Sequence, residues 1–541
     1  MTDQNGVEGA PVAHKIRFVT ATSLFDGHDA SINIFRRILQ AKGAEVIHLG
    51  HNRSALEIVE AAIDEDVQGI AVTSYQGGHM EFYRYIRQLL DERDASHIRL
   101  FGGGGGTILP SEGEELWKEG VARIYSPDDG RAMGLEGMVA DMLEKSDFPT
   151  GELPDDLDLD ALDTTNRRLV ATLISAAENH ADKYADVFDT IEARARQSTA
   201  PVVGITGTGG SGKSSLVDEV LRRFLLDFPD LTVAIISVDP SKRKSGGALL
   251  GDRIRMNTLP HPRAYMRSLA TRQANLALSP HVHRAVDVVK AAGFDLVILE
   301  TSGIGQSDTE IVDYSDLSVY VMTPEYGAAT QLEKIDMLDF ADLVAINKAD
   351  KEGADDALRD VRKQWKRNHM RFEMPDDEVP VHLTIASDFN DPGTNRFYEA
   401  FVAALAGRGM PLESTLDLPV APGSKQHIVP PERTRYLAEI VETIRNYDGW
   451  AKEQAEAAER VYRLRAAAEA GADVAAALEE AEAALDPECR RMLERWEGMQ
   501  AEYRGEEFVY HVRGREIRVP LHHETLSHIR VPKVALPRYR S

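Results

Sequence analysis

The chain reads as α/β, with two doubly wound parallel sheets in succession and a helical region after them. Three observations predict it. Short apolar runs alternate with amphipathic segments between residues 15 and 146. The same alternation resumes at Val202 and continues to about Gly407. Beyond that an Ala/Glu/Arg-rich tract takes over, from Trp450 to Arg504. Such alternation buries a parallel sheet between helices. Sheets of this kind take ligands at the carboxyl ends of their strands.

In chain order, residues 1–14 carry no periodic pattern and are expected to be a disordered start. Residues 15–146 form the first domain, with strands expected at 16–21, 45–49, 69–74, 98–101 and near 123–125. Helices are expected at 30–42, 54–64 and 80–92, with a last one closing the domain. Residues 147–164 are acidic and proline-bearing, the composition of a linker. The second domain covers 165–410. It opens with a helical segment at 166–197 that leads into a strand at 202–206. Residues 411–541 read as a helical linker and docking tail: helical at 433–446, then a helical hairpin over 450–504 broken at Asp486-Pro487. Within the tail, Val531, Val534 and Leu536 are apolar positions suited to docking. The tract lacks sustained heptads, so it is not expected to be a coiled coil. No internal repeat is evident.

Composition narrows the function classes. A length of 541 residues allows several cores. The net charge of −26 argues against nucleic acid as a partner, because phosphate binding needs a basic face. Cys489 is the only cysteine, which excludes an internal disulfide and fits a reducing cytoplasm. No run reaches 18 apolar residues and no signal peptide is visible, so no membrane association is expected and the cytoplasm is the expected compartment.

Two constellations carry chemistry. In Ser23-Leu24-Phe25-Asp26-Gly27-His28 the carboxylate of Asp26 can accept Nδ1–H of His28, fixing the tautomer and leaving Nε2 for a metal. Ser74-Tyr75-Gln76-Gly77-Gly78 and the run Gly102 to Gly106 follow later strands on the same sheet edge. Five successive glycines leave a gap for a large planar or chain-like ligand.

The second constellation begins at Gly207-Thr208-Gly209-Gly210-Ser211-Gly212-Lys213-Ser214, followed by Ser215. Here glycines free backbone N–H groups for phosphate, Lys213 reaches the β and γ oxygens, and the Ser214 hydroxyl faces Mg²⁺. Asn347-Lys348-Ala349-Asp350 follows an apolar run. The Asp350 carboxylate can accept from guanine N1–H and the 2-amino group together, so GTP is the expected nucleotide. Main-chain N–H groups of 384–387 can back the base. Asp239, Asp252 and Glu300 end apolar runs or flank them, and with Lys213 they are the candidate catalytic groups. Arg253 and Arg255 add guanidinium charge for a phosphoryl transition state.

The first constellation, Asp26-x-His28-x-x-Ser31 with Ser74 and the glycine run, resembles the base-off, histidine-on cobalamin-binding domains. The resemblance implies a flavodoxin-like fold, His28 as axial ligand to cobalt, Asp26 orienting it, and Ser74, Gly103 and Gly104 along the channel for the cofactor tail. Ser31 stands where the wider family has glycine. The second constellation, with Glu300-Thr301-Ser302-Gly303-Ile304-Gly305-Gln306-Ser307, resembles the G-protein chaperones of adenosylcobalamin-dependent mutases, which have a P-loop GTPase fold. That likeness implies Mg²⁺ held by Ser214, Asp239, Asp252, Glu300 and main chain at Val238 and Thr301, with Arg255 beside the nucleotide. Both likenesses in this order resemble the fused isobutyryl-CoA mutase family, as do Pro430–Leu437 and Ile529–Tyr539. In that family a (β/α)₈ acyl-CoA-binding barrel follows, and 411–541 is too short for one. The expectation is therefore a cobalamin subunit with its GTPase chaperone, dimeric through the G domain, whose acyl-CoA is held by a separate barrel subunit. A GTP-gated cobalamin carrier or sensor without a mutase partner is the alternative.

Overall fold

The computed structural model describes residues 12–272, 278–301, 303, 309–327, 332–333, 335–418, 436–512, 515–525 and 529–537. Most of the expected disordered start, the run Ile304 to Ser307 and the linker-like stretch at 430–435 lie outside them. The chain divides into two units, Met1–Gly423 and Ser424–Ser541.

The first unit holds both sheets. The N-terminal sheet contains β1 (Arg17–Ser23), β2 (Glu45–Arg53), β3 (Gly69–Thr73), β4 (Arg99–Gly103) and β5 (Arg123–Tyr125). They run parallel in the order β5-β4-β3-β1-β2, the doubly wound arrangement expected. Helices α1 (Ala30–Ala41), α2 (Ala55–Asp64), α3 (His79–Glu92), α4 (Pro110–Lys118) and α5 (Pro127–Lys145) cover it. Every β1 side chain is buried, because helices pack on both faces of that strand. Ser54 and Glu57 form a capping box that starts α2.

Helices α6 (Arg167–Asn179) and α7 (Ala185–Ala195) replace the single helix expected at 166–197. The chain breaks between them where Asn179 and His180 turn toward the loop at residue 150: Asn179 Nδ2 donates to Thr150 Oγ1 at 3.2 Å, and His180 Nε2 lies 3.1 Å from the Thr150 carbonyl. The acidic stretch before them is packed rather than a free tether. Leu153 and Leu162 belong to the core, and a Cβ at Gly151 would sit 2.4 Å from Ala176 N.

The second sheet contains β6 (Val202–Gly207), β7 (Val233–Asp239), β9 (Ala264–Ala270), β10 (Leu296–Glu300), β11 (Leu317–Met322), β12 (Leu343–Asn347) and β13 (Val381–Thr384). All are parallel, ordered β13-β12-β11-β6-β10-β7-β9. Helices α8 (Lys213–Asp227), α9 (Val282–Ala291), α10 (Ala354–Asn368) and α11 (Pro392–Ala406) flank it, giving apolar cores on both faces.

Among the strands not legible in the sequence, one joins the two sheets. Strand β8 (Ala248–Leu250), from the chain between β7 and β9, pairs parallel with β2 and becomes the sixth strand of the N-terminal sheet. Gly247 permits this approach, since a Cβ there would lie 2.2 Å from the Gln40 carbonyl oxygen. The two sheets also share a buried ionic seam. Arg272 Nε donates to Glu45 Oε1 at 2.9 Å, Arg17 Nη1 lies 3.5 Å from Glu178 Oε2, and Arg17 Nη2 donates to the Ser268 carbonyl at 2.7 Å.

In the second unit, α12 (Tyr436–Glu469), α13 (Ala475–Ala484) and α14 (Pro487–Tyr503) are three helices, not a hairpin broken once at Asp486-Pro487. The first reversal comes earlier, at Gly471, whose φ of +89° suits glycine alone. Asp486 instead caps α14, its carboxylate accepting from Glu488 N and Cys489 N. The tail is not helical. It forms two antiparallel pairs, β14 (Glu507–Val512) with β15 (Arg515–Pro520) and β16 (His522–Glu524) with β17 (Arg530–Pro532). Among the described residues no helix is long and apolar enough to cross a membrane.

Candidate functional site

The loop after β1 presents the imidazole as expected. Asp26 is buried, and its Oδ1 accepts from His28 N at 2.9 Å and lies 2.8 Å from His28 Nδ1. Its Oδ2 accepts from Tyr75 N at 2.5 Å. Burial pushes the Asp26 carboxyl up, but the donors Tyr75 N, His28 N and the His28 ring outweigh it and hold it below the usual range. With Nδ1 engaged and the side chain 77% exposed, His28 offers Nε2 outward.

Beside it lies a largely apolar cavity of about 260 Å³ between the carboxyl edge of the sheet, α1 and α5. Gly103 and Gly104 line it, with Phe35, Tyr75, Tyr125 and Met138. A Cβ on Gly104 would lie 2.0 Å from the Ser74 carbonyl, so the cradle exists only because that position is glycine. Ser31 lines the cavity too, its hydroxyl 2.5 Å from Tyr75 Oη. Ser74 is fully buried behind the cavity wall, its Oγ accepting from Ser23 Oγ at 2.9 Å and its N donating to Gly103 O at 2.8 Å. It braces the glycine turn, and Tyr75 beside it lines the cavity.

The phosphate cradle follows β6. Gly207, Gly210 and Gly212 have positive φ, and a Cβ on Gly212 would meet Asn347 Nδ2 at 2.3 Å. Lys213 Nζ donates to Gly207 O at 3.2 Å and lies against Gly303, where a Cβ would be 2.3 Å away. Thr208 Oγ1 and Ser211 Oγ are buried with no partner among the described residues, hydroxyls that fit phosphate oxygens. Ser214 Oγ donates toward Asp252 Oδ1 and Glu300 Oε1, both at 2.8 Å, and Ser215 follows half-buried on α8. Asp252 Oδ2 accepts from Ser237 Oγ at 2.7 Å, and Asp239 Oδ2 from Gly251 N at 2.9 Å.

Glu300 Oε2 is buried and unpartnered among the described residues. Burial, then the Asp252 charge, pushes Asp239 up to about 7 and drives Glu300 well above the carboxylate range. A buried cluster of repelling carboxylates with one orphaned oxygen fits a divalent cation. Among the described residues no three acidic or imidazole groups converge tightly enough to hold a metal alone. That suits Mg²⁺, which takes one or two carboxylates and completes its shell with phosphate and water. Ser214, Asp252 and Glu300 are the coherent set, with Asp239 beside them. Val238 is a core side chain and Thr301 Oγ1 pairs with Thr206 Oγ1 at 2.7 Å, so only main chain is available at either position.

At the base-reading corner, Asn347 Nδ2 donates to Ser211 O at 2.8 Å and Lys348 Nζ to Gly210 O at 2.7 Å. Both tie this loop to the phosphate cradle. Ala349 N donates to Thr384 O at 3.1 Å. Asp350 is exposed and has no side-chain partner among the described residues, leaving its carboxylate for a ligand. The backing expected from 384–387 is corrected in part. Ala386 N already donates to Asn347 Oδ1 and Ile385 N to Asp391 Oδ2, so those two N–H groups are taken. Arg255 is half exposed, paired with Asp252 and near Ser214 Oγ at 3.4 Å, on the cradle side of the chain. Arg253 is not: it is buried and turned away from the cradle.

Residues 16–128 match the B12-binding domain family, and residues 167–395 match the family described as methylmalonyl-CoA mutase-associated GTPase MeaB. A fused isobutyryl-CoA mutase of Geobacillus kaustophilus is 54% identical over 97% of this chain and 50% of its own length. Over nearly its whole length the chain is similar to the fused isobutyryl-CoA mutases. A second relative of the same description, from Cupriavidus metallidurans, is 52% identical over 98% of this chain and 50% of its own. The chain thus spans about half the length of the fused mutases it matches. Strands β1 to β5 and the glycines of the cavity fall inside the first match, and the phosphate cradle falls inside the second.

Proposed function

We propose that the chain is the cobalamin-binding and GTPase portion of an adenosylcobalamin-dependent acyl-CoA mutase of the isobutyryl-CoA type. In this reading the acyl-CoA is enclosed by a (β/α)₈ barrel on a separate subunit, and GTP gates cofactor loading or protection. The carrying observation is His28, its Nδ1 held by Asp26 beside the glycine-lined cavity, in one unit with a cradle of orphaned P-loop hydroxyls. When bound, the cofactor would supply the radical chemistry of carbon-skeleton rearrangement.

The chain's own residues supply binding and control. Asp26 keeps the proton on Nδ1, so His28 Nε2 would be free to hold the cofactor's cobalt. Gly103 and Gly104 would leave room for the cofactor tail. Lys213 and the P-loop amides would hold the phosphates, and Asp350 would accept from guanine. Ser214, Asp252 and Glu300 would hold Mg²⁺, with Asp239 beside them and Arg255 against the developing charge. The G domain is the proposed homodimer contact.

Co(II)-cobalamin bound to ¹⁵N-labelled protein tests the axial ligand. The EPR superhyperfine pattern changes with the label if His28 ligates, and an unchanged pattern overturns the assignment. Purified chain with adenosylcobalamin and GTP should isomerise no isobutyryl-CoA until a barrel subunit is added. Turnover without it would refute the division of labour.

A further inference from the structure

The residues around Asp252 face two directions. The Asp252 carboxylate faces the nucleotide cradle, joined to Ser214, Ser237 and Arg255. The next side chain, Arg253, runs the other way into the N-terminal domain. Its Nη2 donates to Asp64 Oδ2 at 2.8 Å, and its Nη1 to Glu65 Oε1 at 3.2 Å and to Met266 O at 3.0 Å. Asp64 and Glu65, at the end of α2, are 0% exposed, and Arg253 is 7% exposed. Ile254 follows the same course, its Cδ1 so close to Gly50 that a Cβ there would lie 3.0 Å away.

On the other side of Asp252 the chain is also held by that domain. Ala248, Leu249 and Leu250 pair with Glu45, Val46 and Ile47 of β2. Ser245 Oγ donates to Gln40 O at 3.0 Å, and Lys15 Nζ to Gly246 O at 2.8 Å. Between these anchors a tight turn, with Arg255 N donating to Asp252 O at 3.0 Å and Met256 N to Arg253 O at 3.1 Å, makes the segment stiff. The position of Asp252 is therefore set from both flanks by residues that touch no nucleotide.

We infer that Arg253 is a positioning residue of the nucleotide site, and that the cobalamin-binding domain supplies the carboxylates that hold it. This rests on the GTPase reading above. Arg253 is not a phosphate ligand, because its donors are taken by Asp64, Glu65 and the Met266 carbonyl. Nor is it a surface bridge, because all three charged groups are buried. Its guanidinium fork matches two adjacent carboxylates, a geometry a single ammonium cannot reproduce. Through the rigid turn it aims Asp252 at Ser214 and at the cation site. Loss of a group that orients a metal ligand commonly lowers metal affinity or turnover about 10- to 100-fold. The arrangement also means that the G domain has a complete cation site only when the cobalamin-binding domain is docked against it.

The test uses the full chain with Arg253→Met, Arg253→Lys and Glu65→Gln. Mg²⁺-dependent GTP hydrolysis and Mg²⁺ titration of bound mant-GDP are read together. Arg253→Met should raise the Mg²⁺ midpoint and lower kcat by about 10- to 100-fold. Affinity for mant-GDP without Mg²⁺ should stay within about threefold, because the P-loop and Asp350 are untouched. Arg253→Lys should recover part of the loss, and Glu65→Gln should reproduce the Mg²⁺ shift from the far side of the interface. A folded Arg253→Met or Arg253→Lys protein with the parent Mg²⁺ midpoint and kcat overturns the inference and leaves Arg253 a domain staple. If Arg253→Met does not fold, Arg253→Lys and Glu65→Gln decide. Failure of the parent protein to hydrolyse GTP would instead overturn the GTPase reading, so the two failures are distinct.

Discussion

Glu45 turns the ionic seam between the sheets into a pH-dependent quantity. It is fully buried, its Oε1 accepting from Arg272 Nε at 2.9 Å and its Oε2 from Arg17 Nη1 at 3.0 Å. Burial alone would raise its carboxyl, but the Arg272 and Arg17 charges prevail and hold it at about 2, against 4.5 for a free glutamate. A folded pKa below the unfolded one gives stability that is complete above 4.5 and is lost as pH falls toward 2. Across that window the unfolded chain binds one more proton, and the slope is about 1.4 kcal/mol per pH unit. The full shift corresponds to about 3 kcal/mol, the same order as removing one partner of a buried ion pair. Glu45→Gln should therefore lower the unfolding free energy at pH 7 by about 3 kcal/mol, moving the urea midpoint down by roughly 0.5–1 M, since m grows with the surface a large unit exposes. The difference between parent and variant should shrink as pH drops below 4.5. Urea unfolding followed by circular dichroism between pH 6 and 3.5 measures both quantities. Parallel stability curves for the two proteins over that range would refute the reasoning, because they would show that Glu45 carries no proton linkage.

Three further outcomes are expected. Asp350→Asn should abolish a preference for GTP over ATP that is on the order of 10⁴ in the parent, and should favour xanthosine triphosphate, in competition assays with labelled nucleotide. Gly104→Ala should weaken cobalamin binding roughly 10- to 100-fold in spectrophotometric titrations, the cost of forcing a methyl group against the Ser74 carbonyl. Lys213→Ala should abolish GTP turnover and leave cobalamin affinity unchanged, because the two ligands lie on different sheets of the unit.

Much of the site was legible because its parts are local. A carboxylate two residues from an imidazole, a glycine run after a strand, and a P-loop opening a helix each carry their geometry within a few residues. Asp26 with His28, Gly103 with Gly104, and Gly210 to Ser214 accordingly stand where their spacing placed them. Depth at Ser74 was not legible: spacing puts it on the glycine turn but cannot tell a lining side chain from one a layer behind it. The break in the C-terminal helices was misplaced because Asp486-Pro487 is a strong local stop that in fact starts a helix, whereas Gly471 reverses the chain with a weaker signal.

By itself the sequence determined two parallel sheets in order and which residue types stand at each carboxyl edge. Only the tertiary structure decided that the sheets are stitched together. Ala248-Leu249-Leu250 has no strand signature of its own and becomes β-structure because β2 offers an unpaired edge. Arg253 lies 188 residues from Glu65 in the chain and 3.2 Å from it in the fold. Hydrogen bonding and charge pairing act over a few ångströms of space, whatever the separation along the chain. A single sequence records which groups are available, and folding decides which of them meet.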